Sequence, residues 1–158
     1  MKIIKITITS LILLSLFSCK NFPVNTQIKT GYFRLEEFRH ARINQSERIY
    51  LMCYKQKPKK GIARKQFPAG KHNLWVMASL ANHDTFRING QTFVNIDVTL
   101  EANKSYAFNS KIKDNDLWIW IEDVDTGTKV SRPIQTQLGS PAFITDDKIR
   151  KACKSSTI

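Results

Sequence analysis

The chain has 158 residues, 42% hydrophobic and 24% charged, which is room for one modest domain and unlike the composition of a disordered tail. Lysine and arginine total 25 against 13 aspartates and glutamates, a formal charge of +12. With three cysteines and three histidines, cysteine-rich zinc modules and dense disulfide scaffolds are excluded.

Two cations in Met1-Lys2-Ile3-Ile4-Lys5 precede an apolar run over residues 6–17, the order of a signal peptide. As a helix this run reaches roughly 18 Å, short of a hydrocarbon core about 30 Å thick, so it is not expected to be a permanent span. Leu16-Phe17-Ser18-Cys19 resembles a bacterial lipobox, at which a diacylglyceryl group joins the cysteine and the leader is cut just before it. The resemblance implies that residues 1–18 are removed and that Cys19 is lipidated. Several acyl chains anchor stably where one holds only reversibly, each buried methylene contributing about 0.8 kcal/mol. Lys20 stands where an aspartate commonly favours inner-membrane retention in enterobacterial lipoproteins, which points to the outer membrane, facing the periplasm. Residues 19–30, with Pro23 and no periodicity, are expected to form a tether.

Without Lys2 and Lys5 the mature chain keeps 23 basic and 13 acidic residues, a balance of +10. Residues 20–71 carry 13 cations against Glu36, Glu37 and Glu47, while residues 72–158 hold 10 of each sign. The densest stretch sets Lys55, Lys57, Lys59, Lys60, Arg64 and Lys65 around Pro58 and Gly61, as expected of a solvated loop. In a cytosolic protein this would point to nucleic acid. An exported chain meets phospholipid headgroups, lipopolysaccharide phosphates or wall polymers instead, so no nucleic-acid partner is expected. A solvated hairpin with no partner is the plain alternative.

Residues 32–43 fit a strand followed by an irregular turn about as well as a short helix, and are read as a strand. Ile49, Leu51 and Cys53 interleave with Tyr50, Met52 and Tyr54, and Leu74, Val76, Ala78 and Leu80 with Trp75, Met77 and Ser79. Both segments read as strands with two dressed faces. Val94, Ile96, Val98 and Leu100 alternate with Asn95, Asp97 and Thr99; Tyr106 and Phe108 open another strand, and Leu117, Ile119 and Ile121 alternate with Trp118 and Trp120. Turn residues fall between them, with Asn89-Gly90 read as a tight turn. Strands at roughly ten-residue spacing with no helical pattern between them predict an all-β fold, a small antiparallel sandwich or barrel over residues 31–132. Pro133 and Pro141 break regularity in the remaining extension, residues 133–158, where Thr145-Asp146-Asp147-Lys148 followed by Arg150, Lys151 and Lys154 predicts a short C-terminal helix.

Phe67-Pro68-Ala69-Gly70-Lys71-His72, then Leu100-Glu101-Ala102-Asn103-Lys104-Ser105-Tyr106, then Trp120-Ile121-Glu122-Asp123 with Thr126-Gly127, resemble the small all-β domains of PEGA-like and related prealbumin-like bacterial lipoproteins. The resemblance spans residues 67–130 and rests on turns and strands; the tetrapeptide that names the PEGA group is absent. Asn103 replaces a usual glycine, and asparagine tolerates a left-handed turn best after glycine. The resemblance implies envelope association without a known reaction.

With Cys19 acylated, Cys53 and Cys153 remain as an even pair, which an oxidising periplasm would bridge; two unpaired thiols, with Cys53 filling a core position, is the alternative. Asp125-Thr126-Gly127 matches the aspartic-protease tripeptide, but its polar flanks favour a hairpin turn, and its glycine comes one position too early for an EF-hand. His40, His72 and His83 show no metal-ligand spacing and are read as surface residues, so neither metal nor cofactor is expected. No nucleophile elbow or phosphate-cradling loop occurs. Trp118 and Trp120 share one strand face that binds a partner or simply covers the sheet. The sequence thus leads to a non-enzymatic envelope lipoprotein presenting a basic β-domain to an anionic surface or protein partner. The second reading is a periplasmic inhibitor or immunity-type protein that neutralises a toxic effector through the Trp118/Trp120 face.

Overall fold

The computed structural model describes residues 27–41, 43–59, 64–85, 87–114 and 116–158. Residues 1–18, expected to be a leader, Cys19 and Lys60 lie outside the described residues. In chain order the strands are β1 (Tyr32–Glu36), β2 (Phe38–Ala41), β3 (Gln45–Leu51), β4 (Cys53–Tyr54), β5 (Lys57–Pro58) and β6 (Lys65–Pro68). They continue with β7 (Gly70–Asn82), β8 (Ile88–Leu100), β9 (Ser105–Lys113), β10 (Asp116–Asp123) and β11 (Ile134–Gln137). A 3-10 turn (Pro141–Phe143) and one helix, α1 (Asp146–Cys153), close the chain.

A five-stranded sheet in the order β11-β10-β9-β1-β6 packs on a four-stranded sheet in the order β2-β3-β7-β8, with the β4–β5 hairpin apart. Neither sheet closes on itself, so the fold is an open sandwich. Inward residues of alternating strands make one core: Phe33, Leu35, Phe108, Leu117, Ile119 and Ile121 from one sheet meet Ile49, Leu51, Leu74, Val76, Ile96 and Leu100 from the other. The apolar outer faces of β3 and β7 have their own partner. Met52, Cys53 and Met77 pack with Ala152 and Cys153 of α1, with Tyr50, Trp75, Phe93 and Ile149 at the margin. Helix α1 begins as its sequence requires, Thr145 accepting from the Lys148 N–H, with Asp146 and Asp147 in the first turn and Arg150 and Lys151 in the last.

Three local readings differ in the structure. The single strand expected over residues 32–43 is two, with β1 in the five-stranded sheet and β2 in the four-stranded one. Glu37 sits at the switch between sheets, where its 6% exposed side chain receives Arg48 at 2.8 Å and Arg39 at 3.2 Å, charge partners that let a carboxylate occupy the corner. Asn89-Gly90 is no tight turn; both residues lie inside β8, and the chain reverses beforehand, where Asn82 Oδ1 accepts from the N–H groups of Asp84 and Thr85. Gly90 serves close approach instead, since a Cβ there would stand 3.0 Å from Leu138 Cβ, and next to it Gln91 and Gly139 exchange backbone bonds. His72 is half-buried rather than on the surface, its Nε2 donating to the Pro68 carbonyl at 2.8 Å and its ring standing edge-on to Phe33.

Residues beyond 132 join the sandwich. Strand β11 pairs with β10 from Asp116↔Gln137 to Ile119↔Ile134, and Ile158 is buried in the main core. Asn103 takes the left-handed conformation at φ 64° and donates to the Tyr32 carbonyl.

Asp125-Thr126-Gly127 is an exposed turn held by Asp123, whose Oδ1 accepts from the N–H groups of Asp125 at 3.0 Å and Thr126 at 3.1 Å. Burial pushes the Asp123 carboxyl up, but the Thr126 and Asp125 N–H groups and the Lys104 ammonium outweigh it and hold it below the usual carboxylate range. Because the folded value is the lower one, its stabilisation is present above the unfolded value of about 3.9 and is lost as pH falls through the folded value. Asp123→Asn is expected to melt below wild type at neutral pH, and the gap should narrow as pH falls below the unfolded value of about 3.9. A constant gap in melting temperature across that range would refute this.

Candidate binding surfaces

The β4–β5 hairpin turns at Lys55 and Gln56, with φ of 51° and 58°. These are the two left-handed positions of a type I′ turn, for which Asn-Gly is the favoured pair. A side chain with a Cβ holds that conformation at a cost of about 1–2 kcal/mol. Lys55→Asn with Gln56→Gly is therefore expected to stabilise the fold by about 1–2 kcal/mol in urea melts, and a loss of stability would show that the tip carries no such strain.

Cations gather round Tyr54 at the base of this turn. Lys65 Nζ stands 3.6 Å from the ring centre and Lys55 Nζ 5.6 Å, on an aromatic body that packs against Phe67. The phenol senses them: Lys65 beside it is the chief cause of a lowered pKa, burial opposes, and the charges of Lys55 and Lys59 add to the lowering. Lys57 and Lys59 are exposed on the returning strand and the residue after it. Arg64 is drawn elsewhere, gripping Glu36 at two points, Nε to Oε1 at 2.9 Å and Nη2 to Oε2 at 3.2 Å. Of the cations expected to act together, the structure brings Lys55, Lys57, Lys59 and Lys65 onto one hairpin region and commits Arg64 to β1, with Lys60 outside the described residues.

The disulfide fixes the surroundings of this hairpin. Cys53 of β4 is bonded to Cys153 at the end of α1, their Cα atoms 5.3 Å apart. Lys154 is thereby held beside the tip, and with Lys55, Gln56 and Ser155 it lines a depression of about 540 Å³. Lys154 joins the cation cluster with α1, which the bridge ties to the hairpin.

The second surface lies towards the other edge of the five-stranded sheet. Leu117, Ile119 and Ile121 of β10 point into the core, which turns Trp118 and Trp120 outward. Trp120 is only 8% exposed; its Nε1 donates to Glu122 Oε2 at 3.2 Å and Lys129 Nζ stands 4.3 Å from its ring centre. Across the β9–β10 pair, Trp118 faces Lys111 and Asp116 faces Lys113. Asp116 is occupied by the side-chain amides of Gln135 at 2.8 Å and Gln137 at 3.1 Å. Lys111, Lys113, Lys129 and Pro133 thus frame a cleft of about 270 Å³ over the two indoles. None of these four was picked out from the sequence as a binding residue, although the register of Lys111 and Lys113 against β10 follows once the turn at Asp114, φ 55°, is placed.

A wider groove of about 1050 Å³ opens between β8 and residues 130–134, but Asn73, Asn95 and Asp97 there bond one another. Among the described residues, no three His, Cys, Asp or Glu side chains cluster as a metal site, and no helix is long and apolar enough to cross a membrane. No family model matches the chain, and comparison with curated proteins and with solved structures found no significant match to either.

Proposed function

We propose that this chain is a non-enzymatic lipoprotein of the cell envelope, of the PEGA-like or prealbumin-like kind, anchored through Cys19 at the periplasmic side of the outer membrane. Its basic sandwich engages an anionic envelope surface. The observation that carries this reading is the hairpin: Lys55, Lys59 and Lys65 gather round Tyr54, Lys57 pairs with it across the hairpin, and none of the four forms an ion pair among the described residues. A tip that keeps lysine and glutamine where Asn-Gly would relieve strain supports a role for the tip itself. The Cys53–Cys153 bond supports an oxidising compartment. Each lysine near an anionic surface contributes about 1 kcal/mol, screened as salt rises, which suits a reversible contact added to an acyl anchor.

Two experiments test this. Cells given alkyne-palmitate should label the wild-type chain and not Cys19→Ser; an unlabelled wild type, or label on the variant, defeats the anchor. The mature chain from Lys20, made without lipid, should bind phosphatidylglycerol vesicles, and Lys57→Gln with Lys59→Gln and Lys65→Gln should weaken that binding on the order of 100-fold. Equal binding by the variant removes the hairpin from the function. A pull-down from envelopes in which one protein stays bound at high salt would favour the inhibitor reading, since an aromatic-anchored interface outlasts screening.

A further inference from the structure

We infer that the Trp118/Trp120 cleft is a binding site for a single pyranose ring carrying a phosphate or carboxylate, a unit of an anionic envelope glycan. The choice of a glycan rests on the envelope reading; the choice of an anionic ring rests on the cleft.

Three ammonium groups and two indoles line it with Pro133, and no acid does. Two carboxylates of β10 beside it are already engaged: Asp116 holds Gln135 and Gln137, and Glu122 accepts from Trp120 Nε1. Lys111 and Lys113 form no ion pair among the described residues. An anion entering the cleft would therefore complete charges that the protein leaves unmatched.

The indoles select what the anion is attached to. Trp118 and Trp120 lie two residues apart on one strand face, so their side chains rise about 7 Å from one another. Trp120 is the floor, nearly buried and covered by Lys129, whereas Trp118 is half-buried and keeps part of its surface open to solvent. The C–H face of a saturated ring packs on such an electron-rich surface and leaves the ring hydroxyls to water. Bare phosphate would leave the indoles unused, and a neutral sugar would leave the lysines unused. At about 270 Å³ the cleft lies just below the roughly 300–1,000 Å³ of drug-sized ligand sites, which limits it to one ring.

The test uses the full chain in neutral detergent with its three tryptophans labelled with nitrogen-15. Glucose 6-phosphate and glucuronate should each shift the indole signals of Trp118 and Trp120 saturably in the millimolar range. Trp75, on the four-stranded sheet with its Nε1 donating to Ser155, should stay still. Glucose and inorganic phosphate should bind at least tenfold more weakly, and Lys111→Gln with Lys113→Gln, both exposed positions whose change leaves the core intact, should weaken both anionic sugars at least tenfold. An equal response to inorganic phosphate, tighter binding of adenosine monophosphate, or indifference to the lysine changes each overturns the site. No response in a chain that does take up the palmitate label removes the site and spares the envelope reading; a full response in a chain that takes up no label does the reverse.

Discussion

Replacing both cysteines of the Cys53–Cys153 bond by alanine should lower the unfolding free energy by about 3–5 kcal/mol. The bond joins residues 100 positions apart, and closing a loop of that size restricts the unfolded chain by about 4.7 kcal/mol on the chain-entropy account. Both cysteines are fully buried in the small core beneath α1, so alanine leaves no unsatisfied polar group and the loss can be assigned to the cross-link and a small void. A local effect should accompany the global one. Helix α1 spans eight residues, buries only Ala152 and Cys153, and is too short to persist alone in water. The variant should therefore lose helical signal in circular dichroism before the main guanidinium transition, and dithiothreitol should reproduce this in the wild type. A midpoint within about 1 kcal/mol of wild type, with α1 intact, would show that packing alone holds the helix.

Phe33→Ala should cost about 3–5 kcal/mol, the range of large aromatic truncations in a packed core. Phe33 has no exposed surface and is ringed by Phe67 at 5.8 Å, Tyr106 at 5.9 Å and His72 at 5.2 Å between centroids. Its strand is also the hinge of the five-stranded sheet, pairing antiparallel with β6 and parallel with β9. The cavity would open where three rings from three strands cannot close on it together. Phe33→Leu, which keeps most of the volume, should cost no more than about 1.5 kcal/mol. Phe143, 71% exposed, is the control, since its replacement by alanine should change stability by less than about 0.5 kcal/mol. Denaturant midpoints at constant slope measure all three, and equal effects at Phe33 and Phe143 would contradict the assignment of the core.

Much of this architecture is written in local pattern. Alternation over residues 94–100 and 117–121 identified β8 and β10 because a strand sends successive side chains to opposite faces. The apolar residues on both faces of β3 and β7 were equally legible, one face meeting the sandwich core and the other α1. Thr145 and the charge order after it marked the helix, since capping and dipole effects act within one turn. The lysines of residues 55–65 announced a cationic loop by composition alone.

What pattern left open was who stands next to whom. Periodicity tells which face a side chain occupies and is silent about the strand beside it, so the split at Glu37 and the parallel β1–β9 pairing could not be read from residues 32–43. Asn89-Gly90 has the chemistry of a turn, yet Leu138, 48 positions further on, requires the missing Cβ at Gly90. The binding surfaces divide in the same way. Trp118 and Trp120 were visible as one face, but Lys111 reaches them through hairpin register and Lys129 and Pro133 only because the chain folds back past β10. Arg64 left the cation cluster because Glu36 lies within reach, and Lys154 joined it because a distant cysteine pulls α1 onto the hairpin. The residues alone determined strand, helix and charge, which depend on a few neighbours along the chain; pairing, burial of charge and the two clefts waited for tertiary structure, because coulombic and packing energies depend on distance in space.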